Sequence, residues 1–177
     1  MLVSDCVITE KKLPRRKPIR LNGFDYNSGG AYFVTICTAD KRKILSRIVG
    51  GDVLDAPQNE LLKHGLIAER YLKQLNEFYD NISVDSYVIM PNHIHIMLHV
   101  RDNGASRTSP PTSMPQHSVV SSFVSTFKRF CNKEYGLNIW QRHFNDHIIR
   151  DQDDYVKHME YISENVVRWK SDKLYVE

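Results

Sequence analysis

The predicted order of elements in this 177-residue chain is β-α-β-β-α-β followed by one more helix. That order describes an α+β domain of the ferredoxin-like split βαβ type: an antiparallel sheet with helices on one side and an added C-terminal helix. Three observations carry the prediction. Residues 93–100 (HIHIMLHV) alternate, with Ile94, Ile96, Leu98 and Val100 pointing one way and His93, His95, Met97 and His99 the other. Two windows of helical apolar spacing separate the β-like runs. The second and third runs are joined by only a Pro91-Asn92 turn, as an antiparallel pair requires.

Residues 1–20 read as a basic flexible arm, and 21–177 as one domain. Lys11, Lys12, Arg15, Arg16, Lys17 and Arg20 crowd into the arm, where Pro14 and Pro18 favour extended backbone over helix. Such a cluster is either a set of phosphate contacts or a solvated tail. Residues 31–38 (AYFVTICT) are β-branched and aromatic and read as a strand. A loop follows at 50–57. Residues 59–79 read as a long helix, with Leu61, Leu62, Ile67, Leu72, Leu75 and Phe78 near helical spacing. Strands at 82–90 and 93–100 come next. Residues 101–116 (RDNGASRTSPPTSMPQ) have few apolar residues and read as a surface loop. A helix at 119–134 turns Val120, Phe123, Val124, Phe127 and Phe130 inward. Residues 137–140 begin a short strand region that resumes near 144–150, and 153–170 form the last helix.

Composition limits the function classes. Hydrophobic content of 41% and charged content of 25% suit a globular protein. No apolar run approaches the ~18 residues that cross a membrane, and the first ten residues lack the apolar core of a signal peptide. Cys6, Cys37 and Cys131 form no CxxC pair or disulfide framework, so a reducing cytoplasm is expected, with Cys37 in the core. A net charge of +3 says little, but Lys41, Arg42 and Lys43 add a second basic cluster after the first strand.

Two constellations carry chemistry. Next-but-one residues on a strand stand roughly 6.5–7 Å apart, so the rings of His93 and His95 can converge on one ion. Each ring also brings two nitrogens that need partners. The alternative is two ordinary polar positions on a wet strand face. His99 lies roughly 13 Å beyond His95 and reads as structural. On the last helix, Tyr155, Met159, Ile162, Val166 and Trp169 form the core stripe, and His158, Tyr161 and Asn165 gather beside it. Tyr161 and Asn165 are one turn apart. An amide oxygen is a hard ligand for Mg²⁺ or Mn²⁺, and a phenol oxygen can attack phosphorus. Against that stands a half-buried tyrosine beside a solvated polar residue. His158 is a candidate to orient the phenol or accept its proton, and Arg150 is a candidate for a phosphate contact or a salt bridge. There is no HExxH, and no cysteine near the histidines, so protease and zinc chemistry are disfavoured.

Pro91-Asn92-His93-Ile94-His95 looks like the HUH motif (His, hydrophobic, His) of the single-tyrosine HUH transposases. The block WQRHFNDHIIR at 140–150 and Tyr161-Ile162-Ser163-Glu164-Asn165 resemble the REP-associated branch of that group. The resemblance spans roughly residues 20–170, and the three motifs in this order are specific together. One departure is Val166, where the family often has Pro; it predicts a slightly longer helix. The resemblance implies that His93 and His95 ligate Mg²⁺ or Mn²⁺, with Asn165 third, and that Tyr161 on the added helix forms a 5′-phosphotyrosine. It implies single-stranded DNA with a hairpin, such as a REP-like palindrome, as substrate, gripped by the basic arm. A monomer is expected, with a swapped dimer as the other arrangement. The alternative function is a catalytically weak hairpin-binding protein of the same fold. A third reading is an interaction protein whose histidines face solvent.

Overall fold

The computed structural model describes residues 28–51, 55–101 and 118–176. The basic arm read at 1–20, and all but the first residue of the loop read at 101–116, lie outside them. The strands are β1 (Gly30–Cys37), β2 (Ser46–Val49), β3 (Gln58–Leu61), β4 (Ile82–Ile89), β5 (His93–Val100) and β6 (Asn145–Ile148). The helices are α1 (Lys63–Phe78), α2 (Val119–Tyr135) and α3 (Gln152–Glu164).

Four strands form one sheet in the order β4-β5-β1-β6, every neighbouring pair antiparallel. This is the split βαβ arrangement that the element order predicts, with the histidine strand inside the sheet. Met90 N–H donates to His93 O at 2.8 Å and closes the tight turn at Pro91 and Asn92. Tyr32, Val34 and Ile36 of β1 share one face with Ile94, Ile96, Leu98 and Val100 of β5. Onto it pack Ala68, Leu72 and Leu75 of α1 and Val120, Phe123, Val124 and Phe127 of α2. The opposite face is also covered at its centre: Phe33 and Met97 receive Ile162 of α3. β1 and β5 are therefore largely buried on both sides: β1 is almost continuously apolar, and β5 sets His93, His95 and Met97 on the face that α3 covers. Helices α1 and α2 occupy one side, and α3 is the addition on the other.

Three expectations need correction. Residues 58–61 are not the start of a helix; they pair with β2 as a separate two-stranded sheet. Leu61 and Leu62 satisfy helical spacing. However, Asn59 donates its amide to Ile89 O at 2.7 Å and Arg47 pairs with Glu60 across the ladder, which holds the segment extended. The last helix ends at Glu164, so Val166 does not lengthen it. Asn165 N–H turns back to Ile162 O, and buried Trp169 opens a short 3-10 turn at Trp169–Ser171. Residues 137–140 contribute only a bridge between Trp140 and Thr38.

One glycine is required by close approach. Gly65 in α1 lies against Leu45, and an added Cβ would sit 2.1 Å from the Leu45 carbonyl oxygen. Backbone cannot yield as a flexible side chain can. Gly65→Ala is expected to destabilise by about 3 kcal/mol, although alanine favours helix elsewhere. Thermal melting of the two proteins checks this; an unchanged or raised Tm would contradict the close packing.

Candidate metal and nucleophile site

His93 and His95 project from the α3 face of β5, their ring centroids 4.5 Å apart. Both are almost wholly buried. A buried imidazole must place two nitrogens, and here one on each ring is placed and the other is not. His93 Nδ1 lies 2.8 Å from Asn92 Oδ1. Asn92 Nδ2 donates to Leu174 O, so its Oδ1 can only accept, and His93 Nδ1 is the donor. The lone pair of His93 is thereby fixed on Nε2. His95 Nδ1 meets the Thr35 hydroxyl at 2.8 Å. Neither Nε2 has a hydrogen-bond partner, and neither does buried Asn165 Oδ1. Three buried polar atoms without partners cost free energy in the protein alone. They are the donor set a divalent cation takes, and the hydrogen-bonded far nitrogens are the orienting contacts that such ligands need.

The C-terminal segment supplies a carboxylate. One ligand atom each from His93, His95 and Asp172 lies within 4.8 Å of the others. Asp172 Oδ2 also accepts from Tyr161 Oη at 2.7 Å and from Asn165 Nδ2 at 3.3 Å. Phe33 is the platform beneath: His95 stacks on it at 5.0 Å, and Tyr161 meets it edge-on at 5.9 Å. The Tyr161 ring stands 5.2 Å from His95. A single chain thus brings His93 and His95 of β5 together with Tyr161 and Asn165 at the end of α3.

Burial drives the protonation states. It lowers His93 to about 4, with Asp172 opposing the shift. Burial and then the neighbouring His93 lower His95 to about 3. Both rings are neutral at pH 7, as ligation requires. Burial and then the Asp172 carboxylate push the Tyr161 phenol up to about 12. Burial alone would raise Asp172, but the Leu174 N–H, the Tyr161 hydroxyl and the two histidines outweigh it and hold the carboxyl below its usual range.

These shifts predict a pH dependence. Above pH about 6.5 each imidazole is neutral both folded and unfolded, so the histidines cost nothing. Below that value the unfolded chain binds protons that the folded chain refuses. Stability is expected to fall by up to about 1.4 kcal/mol per pH unit per histidine, down to the folded values near 4 and 3. Urea titrations with chelator between pH 7 and 4 check this. A flat profile would mean that the rings protonate in place.

The other predicted residues make no hydrogen bond to the Tyr161 phenol, though His158 packs on Phe33 at 4.7 Å and lines the same pocket as His95 and Tyr161. His158 Nδ1 is held by the Asp154 backbone and carboxylate, and its ring stacks on His147 at 4.6 Å. The phenol's hydrogen bond goes to Asp172 and not to His158. Arg150 is exposed, and its side chain makes no ion pair among the described residues. His99 is exposed beside Asp85, away from the pair. Tyr155 and Met159 pack beside Ile162, while Trp169 reaches the core from beyond the helix. Sequence reasoning missed Asp172, Thr35 and Asn92. Reading the helix through residue 170 hid Asp172, because only a helix that stops at Asn165 lets the chain return. Thr35 could have been found from strand pairing, since it stands opposite His95 in the ladder.

No protein-family model matches the chain. A Haemophilus influenzae protein of uncharacterised function is 30% identical over 176 residues, covering 92% of this chain and 94% of its own length. The REP-associated tyrosine transposase of Escherichia coli is 26% identical over 143 residues, covering 81% and 70%. Among solved structures, a REP-associated tyrosine transposase bound to a REP hairpin aligns with a TM-score of 0.59 at 22% identity, covering 82% of this chain and 71% of that one.

Proposed function

The chain belongs to the family of REP-associated tyrosine transposases, and from that premise we propose that it nicks and rejoins hairpin-bearing single-stranded DNA through a covalent 5′-phosphotyrosine on Tyr161. The observation that carries this reading is the set of three buried polar atoms without partners, His93 Nε2, His95 Nε2 and Asn165 Oδ1, beside that phenol. These atoms would hold Mg²⁺ or Mn²⁺, with the Asp172 carboxylate in reach. When bound, the ion supplies positive charge against the scissile phosphate oxygens.

The chain's own residues do the rest. Phe33 and Asp172 fix the Tyr161 ring and hydroxyl. The phenol oxygen bonds to phosphorus while the bond from phosphorus to the 3′ oxygen breaks. The phenol proton passes to Asp172 Oδ2, which it already meets, and the 3′ oxygen takes a proton from solvent. Attack by a 3′-hydroxyl on the tyrosine ester reverses the step without ATP, because one phosphodiester is exchanged for another. The basic residues at 11–20 would grip hairpin phosphates. We propose a monomer as the working unit, since one chain holds every site residue. No helix among the described residues is long and apolar enough to cross a membrane, and the cytoplasm is the proposed location.

Incubating the protein with a REP-like hairpin carrying single-stranded flanks, plus Mn²⁺, tests the reading. The expected result is a denaturant-resistant protein–DNA adduct and a released strand with a 3′-hydroxyl. Hairpin binding without adduct would favour the catalytically weak binder instead. No binding would favour neither.

A further inference from the structure

A groove at the C-terminal end of α2 lies outside the site described above. Lys128, Arg129, Lys133 and Arg142 line it, and none of its lining residues is acidic. Arg129, Lys133 and Arg142 are exposed, and none of the four cations is paired with a carboxylate among the described residues. Four other cations, Arg47, Arg70, Lys73 and Arg168, each have an acidic partner. Unbalanced charge collected in one concavity favours an anion.

Two groups, one of them buried, set the groove apart from an exposed basic patch. Trp140 lines it and is almost fully buried, yet its Nε1–H has no acceptor. An indole nitrogen is a donor only, so any partner it takes is an acceptor. Lys128 donates to Gln141 O at 2.8 Å and His143 O at 3.1 Å, which anchors the wall and leaves one ammonium hydrogen over. Burial lowers this amine to about 8, so an incoming anion would favour its charged form.

The groove opens at the end of the sheet that carries the histidines. Gln141 N–H donates to Cys37 O at 2.9 Å, Trp140 bridges to Thr38, and Cys37 stands opposite His93 in the ladder. From the groove wall through β1 to β5 is two strand spacings, roughly 10 Å. The groove lies on the α2 side of the sheet and the Tyr161 pocket on the α3 side, so a strand leaving that pocket would pass round this end of the sheet to enter the groove.

We propose that this groove is a second DNA surface, which takes the sugar-phosphate backbone of the single strand flanking the hairpin. The proposal rests on the reading of the protein as a single-strand nuclease and adds where the flank runs. Its contacts are to phosphate, so the groove holds the strand without reading its bases.

The test compares the full-length protein with a triple variant, Arg129→Ala, Lys133→Ala and Arg142→Ala, which leaves Lys128 and its loop intact. Binding is measured in EDTA by fluorescence anisotropy, from 50 to 300 mM salt, with a hairpin carrying a single-stranded flank and with the blunt hairpin. The variant is expected to bind the flanked probe at least ~10-fold more weakly at 100 mM salt, and its slope in log K against log salt should shrink by about 2, roughly 0.7 for each lost contact. Both proteins should bind the blunt hairpin alike. Arg47→Ala with Lys73→Ala, ion-paired cations elsewhere, should leave the slope unchanged. An unchanged slope on the flanked probe would overturn the proposal, as would an equal loss on both probes, which would put the hairpin itself in the groove. The adduct assay separates the two claims. Adduct with an unchanged slope sinks the groove alone, and a groove-dependent slope without adduct sinks the nuclease reading alone.

Discussion

Tyr161→Phe is expected to abolish the covalent adduct and to cut strand cleavage by a factor on the order of 10⁴ or more, the scale seen when a nucleophile is removed. The change deletes one oxygen, whose hydrogen bond goes to Asp172. The ring keeps its contacts with Phe33 and His95, so the loss in stability should be about 1 kcal/mol. Hairpin affinity should hold, because the basic surfaces are untouched. Tyr155→Phe is the sharp control. Tyr155 is on the same helix but reaches the other way, and its hydroxyl donates to Asp85 Oδ2 at 3.1 Å. Tyr155→Phe should cleave like the parent and melt slightly earlier. Adduct that survives in Tyr161→Phe but disappears in Tyr155→Phe would move the nucleophile by six positions. Adduct in both would end the tyrosine mechanism on this helix. Phosphopeptide mapping of the parent adduct reads the same point directly.

The parts of this fold that were legible in the sequence are those whose period is enforced by burial on a continuous surface. β5 reads at its true bounds because every second residue enters the α1–α2 core, and a slip of one would bury His99 and expose Val100. α2 reads almost as well, between the Ser118 cap, which accepts from Ser121 N–H, and Gly136 in the left-handed conformation at its end. β3 was hidden because four residues are too few for a period to show, and because what holds them, the Asn59 and Glu60 contacts, lies in segments distant along the chain. The end of α3 was hidden because it carries no Gly or Pro. It is set by Trp169 burying its ring near His93, a tertiary event that local propensity does not encode. The same bend carries Asp172 to the phenol, so one missed boundary concealed the one carboxylate among these polar contacts. The histidine pair was visible from alternation alone, whereas its burial, the fixed tautomer of His93 and the unpartnered nitrogens needed coordinates.

Metal dependence is the second large effect, and it has a readout other than cleavage. In the Tyr161→Phe background, with hairpin oligonucleotide bound, Mn²⁺ at 100 times its Kd should stabilise the protein by about 2.7 kcal/mol. For a chain of this size that is about 5–10 °C in Tm. DNA is included because the protein offers few ligands, and Mg²⁺ or Mn²⁺ shared with a phosphate binds better than either ion on the protein alone. His95→Leu should remove the shift and stop cleavage in the Tyr161-containing protein. Its metal-free stability should change by only about 1–2 kcal/mol, because the substitution deletes a buried nitrogen that had no partner while leaving the Thr35 hydroxyl without one. Thr35→Val tests the layer behind. It leaves both Nε2 atoms in place but frees the His95 ring, and should weaken metal binding by about 10–100-fold without abolishing it. A Tm that ignores Mn²⁺ in the DNA complex would mean that the three unpartnered buried atoms serve something other than an ion. A shift that survives His95→Leu would transfer the site to other ligands, with the His147, Asp154 and His158 cluster the first to examine.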